Sequence, residues 1–275
     1  MKPFLTRSFT SLIYTAVFTA GIIVHPFLFA FVFLGMTVLG LLEFYRLVRL
    51  SGGEPQKITG LVACFVFWGS IFGYFMGWLP LMSALAVVPF IFATFIVEMY
   101  RKKPNPFFNI AATLMGFIWI VFPMSMANFM VFPRLHGNPG YFPWILLGTT
   151  LILWAYDSGA YMIGTPFGKH RLFERISPKK SWEGVIGGGM IALLTGVLNA
   201  WLFPSLELAN WLIISGIVII SGTYGDLSES LLKRSLHIKD SGTLLPGHGG
   251  MLDRLDSLLF TIPMVVVYLF FIGLN

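Results

Sequence analysis

The sequence predicts an all-α, polytopic integral membrane protein with about nine transmembrane helices, an internal N-terminus and an external C-terminus. First, 56% of its 275 residues are hydrophobic and only 11% are charged, whereas a soluble domain carries about 25% charged residues. Second, apolar stretches long enough to cross a bilayer recur along the chain. Third, the basic residues gather in alternate connections between those stretches, a pattern that sets orientation in a membrane.

The predicted spans are segments of roughly 20 mostly apolar residues, as the core of a bilayer requires. They cover residues 8–24, 27–45, 58–76, 79–97, 108–130, 141–161, 184–203, 210–225 and 257–274. The first is not expected to be a cleaved signal peptide, because no small-x-small site follows it and the next span begins almost at once. The eighth span is short, and Gly222, Gly225 and Asp226 at its end predict a helix break that lines a cavity.

The positions of Lys and Arg predict the orientation. With the N-terminus inside, all of the 18 basic residues except Arg134 fall on the inner side. They are Lys2 and Arg7; Arg46, Arg49 and Lys57; Arg101, Lys102 and Lys103; Lys169, Arg171, Arg175, Lys179 and Lys180; and Lys233, Arg234, Lys239 and Arg254. Because positively charged loops stay on the cytoplasmic side, we expect the chemistry at that face.

Polar residues are distributed unevenly along the chain. In the first half they occur mainly in short loops, whereas in the second half they converge on a few segments. We therefore expect residues 1–133 to form a scaffold of transmembrane helices and residues 134–275 to form the catalytic region of one integrated membrane domain. Cys64 is the single cysteine, so no internal disulfide can form, and its apolar surroundings favour a small buried side chain.

The most highly charged stretch is Ser230–Asp256, with Asp226 just before it. A segment next to a membrane keeps such charge only when water, a metal or a charged ligand compensates it. Asp226, Ser230 and Lys233 are spaced i, i+4 and i+7, which places them on one face of a helix. The spacing therefore favours a binding site for a charged ligand.

Three carboxylates of this region are candidate metal ligands. Asp253 and Asp256 are spaced i and i+3 and share a helix face, while Asp226 comes from a different segment. Mg²⁺ prefers one or two carboxylates together with substrate phosphates and water. We predict that these three residues bind Mg²⁺, or that Asp256 instead supports Arg254.

A glycine turn, Gly249–Gly250, precedes the last predicted helix. Glycine lets backbone N–H groups approach an anion, and the following helix N-terminus adds positive potential. The neighbouring His237 and His248 are as consistent with a structural role as with a catalytic one. Two histidines without cysteine do not suggest zinc.

A second polar cluster closes the sixth span, where Asp157 is followed by Gly159 and Tyr161. A carboxylate at the membrane end of a helix costs roughly several kcal/mol when nothing pairs with it. Asp157 is therefore either a functional group or the ion-pair partner of a neighbouring Arg.

A third cluster is the basic loop Lys169–Glu183. Its cations could anchor the loop to anionic headgroups at about 1 kcal/mol each, and for Arg171 and Arg175 this role and a functional one both stay open. Lys179 and Lys180 differ, because a proline fixes the chain just before them and a helix follows, an arrangement that favours phosphate binding. The macrodipole alone could account for Glu183 in the first turn of that helix.

These segments resemble the signature of the phosphatidate cytidylyltransferase (CDP-diacylglycerol synthase) family. The pattern S-x-x-K-R, K-D-x-G and P-x-H-G-G-x-x-D-R-x-D is filled at every fixed position, by Ser230, Lys233, Arg234, Lys239, Asp240, Gly242, Pro246, His248, Gly249, Gly250, Asp253, Arg254 and Asp256. The D-x-G-A-Y element is matched from Asp157 to Tyr161, and the S-P-K-K-[ST]-x-E-G element from Ser177 to Gly184. The first hundred residues match only as hydrophobic spans.

The resemblance implies that CTP and phosphatidate give CDP-diacylglycerol and pyrophosphate at the cytoplasmic face of the inner or plasma membrane. It implies catalytic roles for Asp226, Lys233, Asp253, Arg254 and Asp256, and substrate-binding roles for Asp157, Tyr161, Ser177, Lys179, Lys180, Ser181, Ser230, Arg234, Lys239, His248, Gly249 and Gly250. The expected cofactor is Mg²⁺ or another divalent metal, with a second cation as an option. The expected partners are the substrates, the lipid bilayer and a second copy in a homodimer, without nucleic acid.

Other functions stay open at this stage. Another CTP-dependent lipid enzyme, such as a polyprenol kinase or an archaeal ether-lipid cytidylyltransferase, would share much of this chemistry. A CDP-alcohol phosphotransferase would carry a D-G-x-x-A-R…G-x-x-x-D-x-x-x-D array, which the sequence lacks. A transporter would place charges within its spans and show internal repeats, whereas most of the charge here gathers at one membrane face.

Overall fold

The described part of the chain is all-α, as predicted, apart from one short β-hairpin. The structure is a computed structural model that describes residues 2–133, 140–238, 241–242 and 249–274, with side chains from residue 9 onward. The helices are α1 (Lys2–Ile23), α2 (Pro26–Leu50), α3 (Lys57–Phe75), α4 (Val88–Arg101), α5 (Pro106–Gly116), α6 (Phe122–Val131), α7 (Trp144–Phe167), α8 (Trp182–Leu202), α9 (Leu208–Ser235) and α10 (Leu252–Phe271). A 3₁₀ segment, Leu81–Val87, leads into α4, and a π-helical turn, Phe117–Val121, joins α5 to α6.

Seven segments of the described chain are long and apolar enough to cross a membrane. They are Pro26–Leu50, Lys57–Phe75, Leu81–Arg101, Pro106–Val131, Trp182–Leu202, Leu208–Ser235 and Leu252–Phe271. A shorter apolar helix covers Phe9–Ile23, and α7 is long enough but carries Asp157 among several Gly, Thr and Tyr residues. The chain is a multi-pass membrane protein, while the count of nine spans and their orientation stay predictions.

The predicted break at the end of the eighth span is wrong. Helix α9 runs without interruption from Leu208 to Ser235 and includes Gly222, Gly225 and Asp226. Gly225 has a different purpose, because a Cβ at this position would lie only 2.6 Å from the carbonyl oxygen of Asp256. The glycine therefore allows the backbone of α10 to touch α9.

An antiparallel hairpin, absent from the sequence-based prediction, occupies the basic loop. Strand β1 (Arg171–Phe173) pairs with β2 (Ser177–Ser181), so that Arg171 lies opposite Ser181. Strands of three and five residues are too short to show a clear period-2 pattern, which explains why the sequence did not indicate them. Because β2 ends where α8 begins, the hairpin holds its lysines beside the start of that helix.

The described chain packs as two compact units. The first comprises Met1–Asn128 and Leu236–Leu255, and the second comprises Phe129–Ser235 and Asp256–Asn275. The predicted division into a scaffold (1–133) and a catalytic region (134–275) concerns the roles of the two parts and not their packing. It stays a prediction.

A buried carboxylate ties together the interior of the first unit. Glu98 of α4 accepts hydrogen bonds from Gln56 Nε2, Arg101 Nη1 and Asn109 Nδ2, each at 2.7 Å. A charge that is buried inside a protein is stable only when such partners satisfy it. Gln56 and Asn109 connect Glu98 to the segment before α3 and to α5, while Arg101 belongs to α4 itself.

Glycines bring α7 and α8 into backbone contact within the second unit. A Cβ at Gly188 would lie 2.7 Å from the carbonyl oxygen of Tyr156, and one at Gly184 would lie 2.9 Å from that of Ala160. Small residues spaced four apart let membrane helices pack this closely. The contact fixes Asp157 of α7 beside the first turns of α8.

Gly188→Ala is expected to destabilise the fold by about 1–3 kcal/mol, the usual cost of overpacking, because the added methyl group meets the backbone of α7. Gly189→Ala is the matched control, since its Cβ would meet the Ile219 side chain at an ordinary 3.4 Å. The midpoint of thermal unfolding in detergent should fall for Gly188→Ala and hardly change for Gly189→Ala. Equal midpoints would contradict a tight α7–α8 contact.

The orientation prediction can be tested with reporters of membrane sidedness. A reporter inserted between Gly52 and Gly53 is expected inside, and one fused after Asn275 outside, because the basic residues mark the inner side. Both readouts should be made on the same full-length chain. An internal reporter after Asn275 would show that the number of spans is even.

Candidate active site

One face of α9 carries the predicted polar residues together, as their spacing requires. The Ser230 hydroxyl donates to Asp226 Oδ1 at 3.2 Å, one helical turn away. On the next turn, the ammonium of Lys233 forms an ion pair with Glu229. The helix therefore presents two carboxylates, a hydroxyl and an ammonium in one row.

Three carboxylates meet where α9 touches α10 in the second unit. Oxygen atoms of Asp226, Glu229 and Asp256 all lie within 4.8 Å of one another. The contact at Gly225 brings the α10 backbone this close. Divalent Mg²⁺ takes carboxylate oxygens as ligands, so the donor set fits such a metal.

The hairpin adds cations to the same region. Lys180 Nζ of β2 lies 2.6 Å from Asp226 Oδ2. Two ammoniums, those of Lys180 and Lys233, thus pair with carboxylates of the three-carboxylate cluster.

A cavity of about 270 Å³ joins the hairpin to α7, α8 and α9. Six of the predicted residues line it: Asp157, Tyr161, Lys179, Lys180, Ser181 and Asp226. Its remaining wall consists of Tyr156, Ala160, Gly164, Thr165, Gly184 and Val185. The cavity therefore combines carboxylates and ammoniums with a partly apolar wall.

Contacts after β2 and before β1 hold the open end of the hairpin in place. Ser181 caps α8, because its side-chain oxygen accepts a hydrogen bond from the Gly184 N–H at 3.2 Å. Glu183 accepts hydrogen bonds from the N–H groups of Lys169 and His170, and its Oε1 lies 2.6 Å from the His170 ring. Glu183 thus anchors the hairpin in addition to standing at the positive end of α8.

Similarity to known proteins identifies the family of this chain. A model of the cytidylyltransferase family matches residues 5–272. The chain belongs to the cytidylyltransferase family. It is 32% identical to a phosphatidate cytidylyltransferase of Haemophilus influenzae, with 94% of this chain and 95% of the relative aligned. A protein of the same name from Synechocystis is 34% identical over 84% of each chain, and one from Staphylococcus saprophyticus is 44% identical over 45% of this chain.

Sequence reasoning missed one carboxylate of this candidate site, Glu229. The residue is almost fully buried and belongs to the three-carboxylate cluster. Its position three residues after Asp226 and four before Lys233 could have revealed it, because that spacing places all three on one helix face.

Asp253 lies in the first compact unit of the cytidylyltransferase, and its assignment as a metal ligand stays a prediction. Its Oδ2 accepts hydrogen bonds from the Ser241 N–H at 3.0 Å, the Ser241 hydroxyl at 2.8 Å and the Gly250 N–H at 2.8 Å. The amide of Gly250, predicted to meet a substrate anion, thus already binds a carboxylate of the chain.

The remaining predicted residues either do not line the cavity or lie outside the part of the chain that the structure describes. Arg234 Nε donates to the carbonyl oxygen of Ile176 at 3.4 Å and so supports the hairpin. Ser177 begins β2 and is not among the residues that line the cavity. Arg254 and Gly249 belong to the first unit, while Lys239 and His248 lie outside the described residues.

Proposed function

We propose that this cytidylyltransferase is a phosphatidate cytidylyltransferase, which converts CTP and phosphatidate into CDP-diacylglycerol and pyrophosphate. The observation that carries the proposal is the cavity in which Lys179 and Lys180 of β2 lie beside Asp226 of α9. A site with cations, carboxylates and a partly apolar wall in a multi-pass membrane protein suits a phosphate carried by a lipid. The names of the relatives that align along most of the chain support the same substrate.

The proposed reaction does not need a nucleophile made by the protein. A phosphate monoester has its second pKa near 6, so it is largely dianionic at neutral pH. A phosphatidate oxygen attacks the α-phosphorus of CTP, the new P–O bond forms, and the bond to the β-phosphate breaks with its electrons leaving on pyrophosphate. The protein must chiefly bring two polyanions together and hold them in line.

Cations on the hairpin supply part of the charge compensation. Lys179 and Lys180 line the cavity, and the N-terminus of α8 directly follows them. Ammonium groups and the N–H groups of a helix start both bind phosphate oxygens. We assign phosphate binding to Lys179, Lys180 and Ser181, and contacts with the rest of the substrates to Asp157 and Tyr161.

Asp226, Glu229 and Asp256 would hold a divalent cation, which we propose is Mg²⁺. When bound, the metal would offset charge on the triphosphate and on the departing pyrophosphate. Lys233 positions Glu229 through their ion pair, and Ser230 positions Asp226 through its hydroxyl. We also propose that Asp253 takes part in metal binding and that Asp253 and Arg254 take part in catalysis. The proposal further includes a homodimer and a site that faces the cytoplasm.

The leaving group identifies the reaction. Purified protein in lipid nanodiscs should form CDP-diacylglycerol and pyrophosphate in equal amounts from CTP, Mg²⁺ and phosphatidate, and EDTA should stop the reaction. A polyprenol kinase would instead transfer the γ-phosphate of CTP to a polyprenol and release CDP, and an ether-lipid enzyme would prefer an ether-linked acceptor. Either result, without turnover of phosphatidate, would contradict the proposal.

A further inference from the structure

Helix α2 carries a buried carboxylate that the proposed chemistry does not use. Glu43 lies in the first unit, and its Oε2 accepts hydrogen bonds from the N–H groups of Met251 at 2.6 Å and Leu252 at 3.5 Å. Its Oε1 accepts a hydrogen bond from the Ser241 hydroxyl. One side chain of α2 thus satisfies N–H groups at the beginning of α10, which otherwise lack partners within the helix.

Ser241 connects Glu43 to Asp253. The hydroxyl of Ser241 lies within hydrogen-bond distance of both carboxylates, and because it carries one proton it donates to one of them at a time. Arg46, one turn after Glu43 on α2, donates from Nη2 to the Ser241 carbonyl oxygen at 2.5 Å. The backbone and side chain of Ser241 are therefore both held by α2.

Two glycines of the signature lie against the Glu43 carboxylate, where a Cβ would not fit. A Cβ at Gly250 would lie 1.6 Å from Glu43 Oε1, and its three nearest heavy atoms would all belong to the Glu43 carboxylate. A Cβ at Gly242 would lie 2.6 Å from the same oxygen. Gly250 does not have a positive φ, so the space occupied by Glu43, rather than the backbone conformation, requires glycine there.

We infer that Glu43 is a positioning residue for the proposed reaction. Its carboxylate fixes Ser241 and the first residues of α10, and through them it sets the orientation of Asp253. The inference rests on the proposed function for its kinetic consequences only, because the contacts of Glu43 can be tested without any substrate.

Amide hydrogen exchange tests these contacts directly in the full-length protein. In Glu43→Ala, the Met251 amide should exchange at least about tenfold faster than in the wild type, because its acceptor is lost. Glu43→Gln keeps one acceptor oxygen, so the Met251 amide should exchange at close to the wild-type rate in this variant. Glu98→Gln alters another buried carboxylate of the same unit and should leave Met251 unchanged. An unchanged Met251 in Glu43→Ala would overturn the inference, whatever the substrate proves to be.

Turnover per folded molecule tests the positioning role. Glu43→Ala should lower kcat at least about tenfold while the KM for CTP stays within about threefold, because a misplaced catalytic group affects the transition state more than binding. Glu43→Gln should recover most of the activity, since its amide can still accept from Met251 and donate to Ser241. The kcat of Glu98→Gln should stay within about threefold of the wild-type value. A Glu43→Gln enzyme as slow as Glu43→Ala would overturn positioning by hydrogen bonds.

A double-mutant cycle tests whether Glu43 or a substrate anion is the reason why position 250 is glycine. Gly250→Ala should lower kcat strongly in the wild-type background and much less in Glu43→Ala, because removal of the carboxylate makes room for the methyl group. Glu43→Asp, which is one methylene shorter, serves if Glu43→Ala fails to fold. Equal effects of Gly250→Ala in both backgrounds would contradict the inference, because they would mean that something other than Glu43 opposes the methyl group.

Failure of the wild type to convert phosphatidate would instead refute the proposed function, while hydrogen exchange would still decide the role of Glu43.

Discussion

Asp226→Asn is expected to lower kcat by at least about 100-fold, which corresponds to about 2.7 kcal/mol of transition-state stabilisation. The residue contributes an oxygen to the three-carboxylate cluster and pairs with Lys180 at 2.6 Å. Asparagine keeps the shape of the side chain and can still accept a hydrogen bond from the Ser230 hydroxyl, but it removes the negative charge. Steady-state kinetics in nanodiscs measure kcat, and the Mg²⁺ concentration at half-maximal activity should rise.

Glu174→Gln is the matched control for Asp226→Asn. Glu174 is an exposed carboxylate in the turn of the hairpin, so its neutralisation should change kcat and the Mg²⁺ requirement by less than about twofold. If Asp226→Asn folded well and kept near-normal turnover, α9 would have no metal-binding carboxylate at this position. The three-carboxylate cluster would then have to be structural.

Lys180→Ala is expected to lower kcat/KM about 10- to 150-fold, because hydrogen bonds to charged groups contribute about 1.5–3 kcal/mol. Its ammonium lines the cavity and contacts Asp226, so its loss removes a phosphate-binding group and an ion-pair partner together. Lys180→Arg keeps the charge and should retain more activity than Lys180→Ala. Initial rates at varied CTP and phosphatidate would show which substrate loses affinity.

Other cations of the hairpin provide the comparison for Lys180. Arg171 is exposed on β1 and is expected to contact lipid headgroups, so Arg171→Ala should change kcat/KM by less than about threefold. Lys179 lines the cavity but is more exposed, and Lys179→Ala should have an intermediate effect. Equal and mild losses in all three variants would indicate that the hairpin only anchors the protein to the membrane.

Local periodicity made much of this site predictable. The spacing of Asp226, Ser230 and Lys233 predicted one helix face, and in the structure all three lie in α9, where the Ser230 hydroxyl donates to Asp226. The same periodicity includes Glu229, three residues after Asp226 and four before Lys233, which the sequence-based prediction did not name. The hairpin was not predictable in this way, since its strands are too short for a period to appear.

Glycines show where local reasoning stops. Gly225 looked like a helix break, yet it allows α10 to touch α9. Gly250 looked like a contact for a substrate anion, yet the anion beside it is Glu43, 207 positions earlier in the chain. A glycine shows that something approaches the backbone closely, but its neighbours in the sequence do not show what that is.

By itself, the sequence determined that the chain is a helical membrane protein, since hydropathy and helix period are local properties of successive residues. It also identified half of the residues that line the cavity. Only the tertiary structure decided that β2 brings Lys180 to α9, that Glu229 completes the three-carboxylate cluster and that Glu43 holds the beginning of α10. These pairings depend on how helices pack across long stretches of chain, and packing at that distance leaves no periodic trace in the sequence.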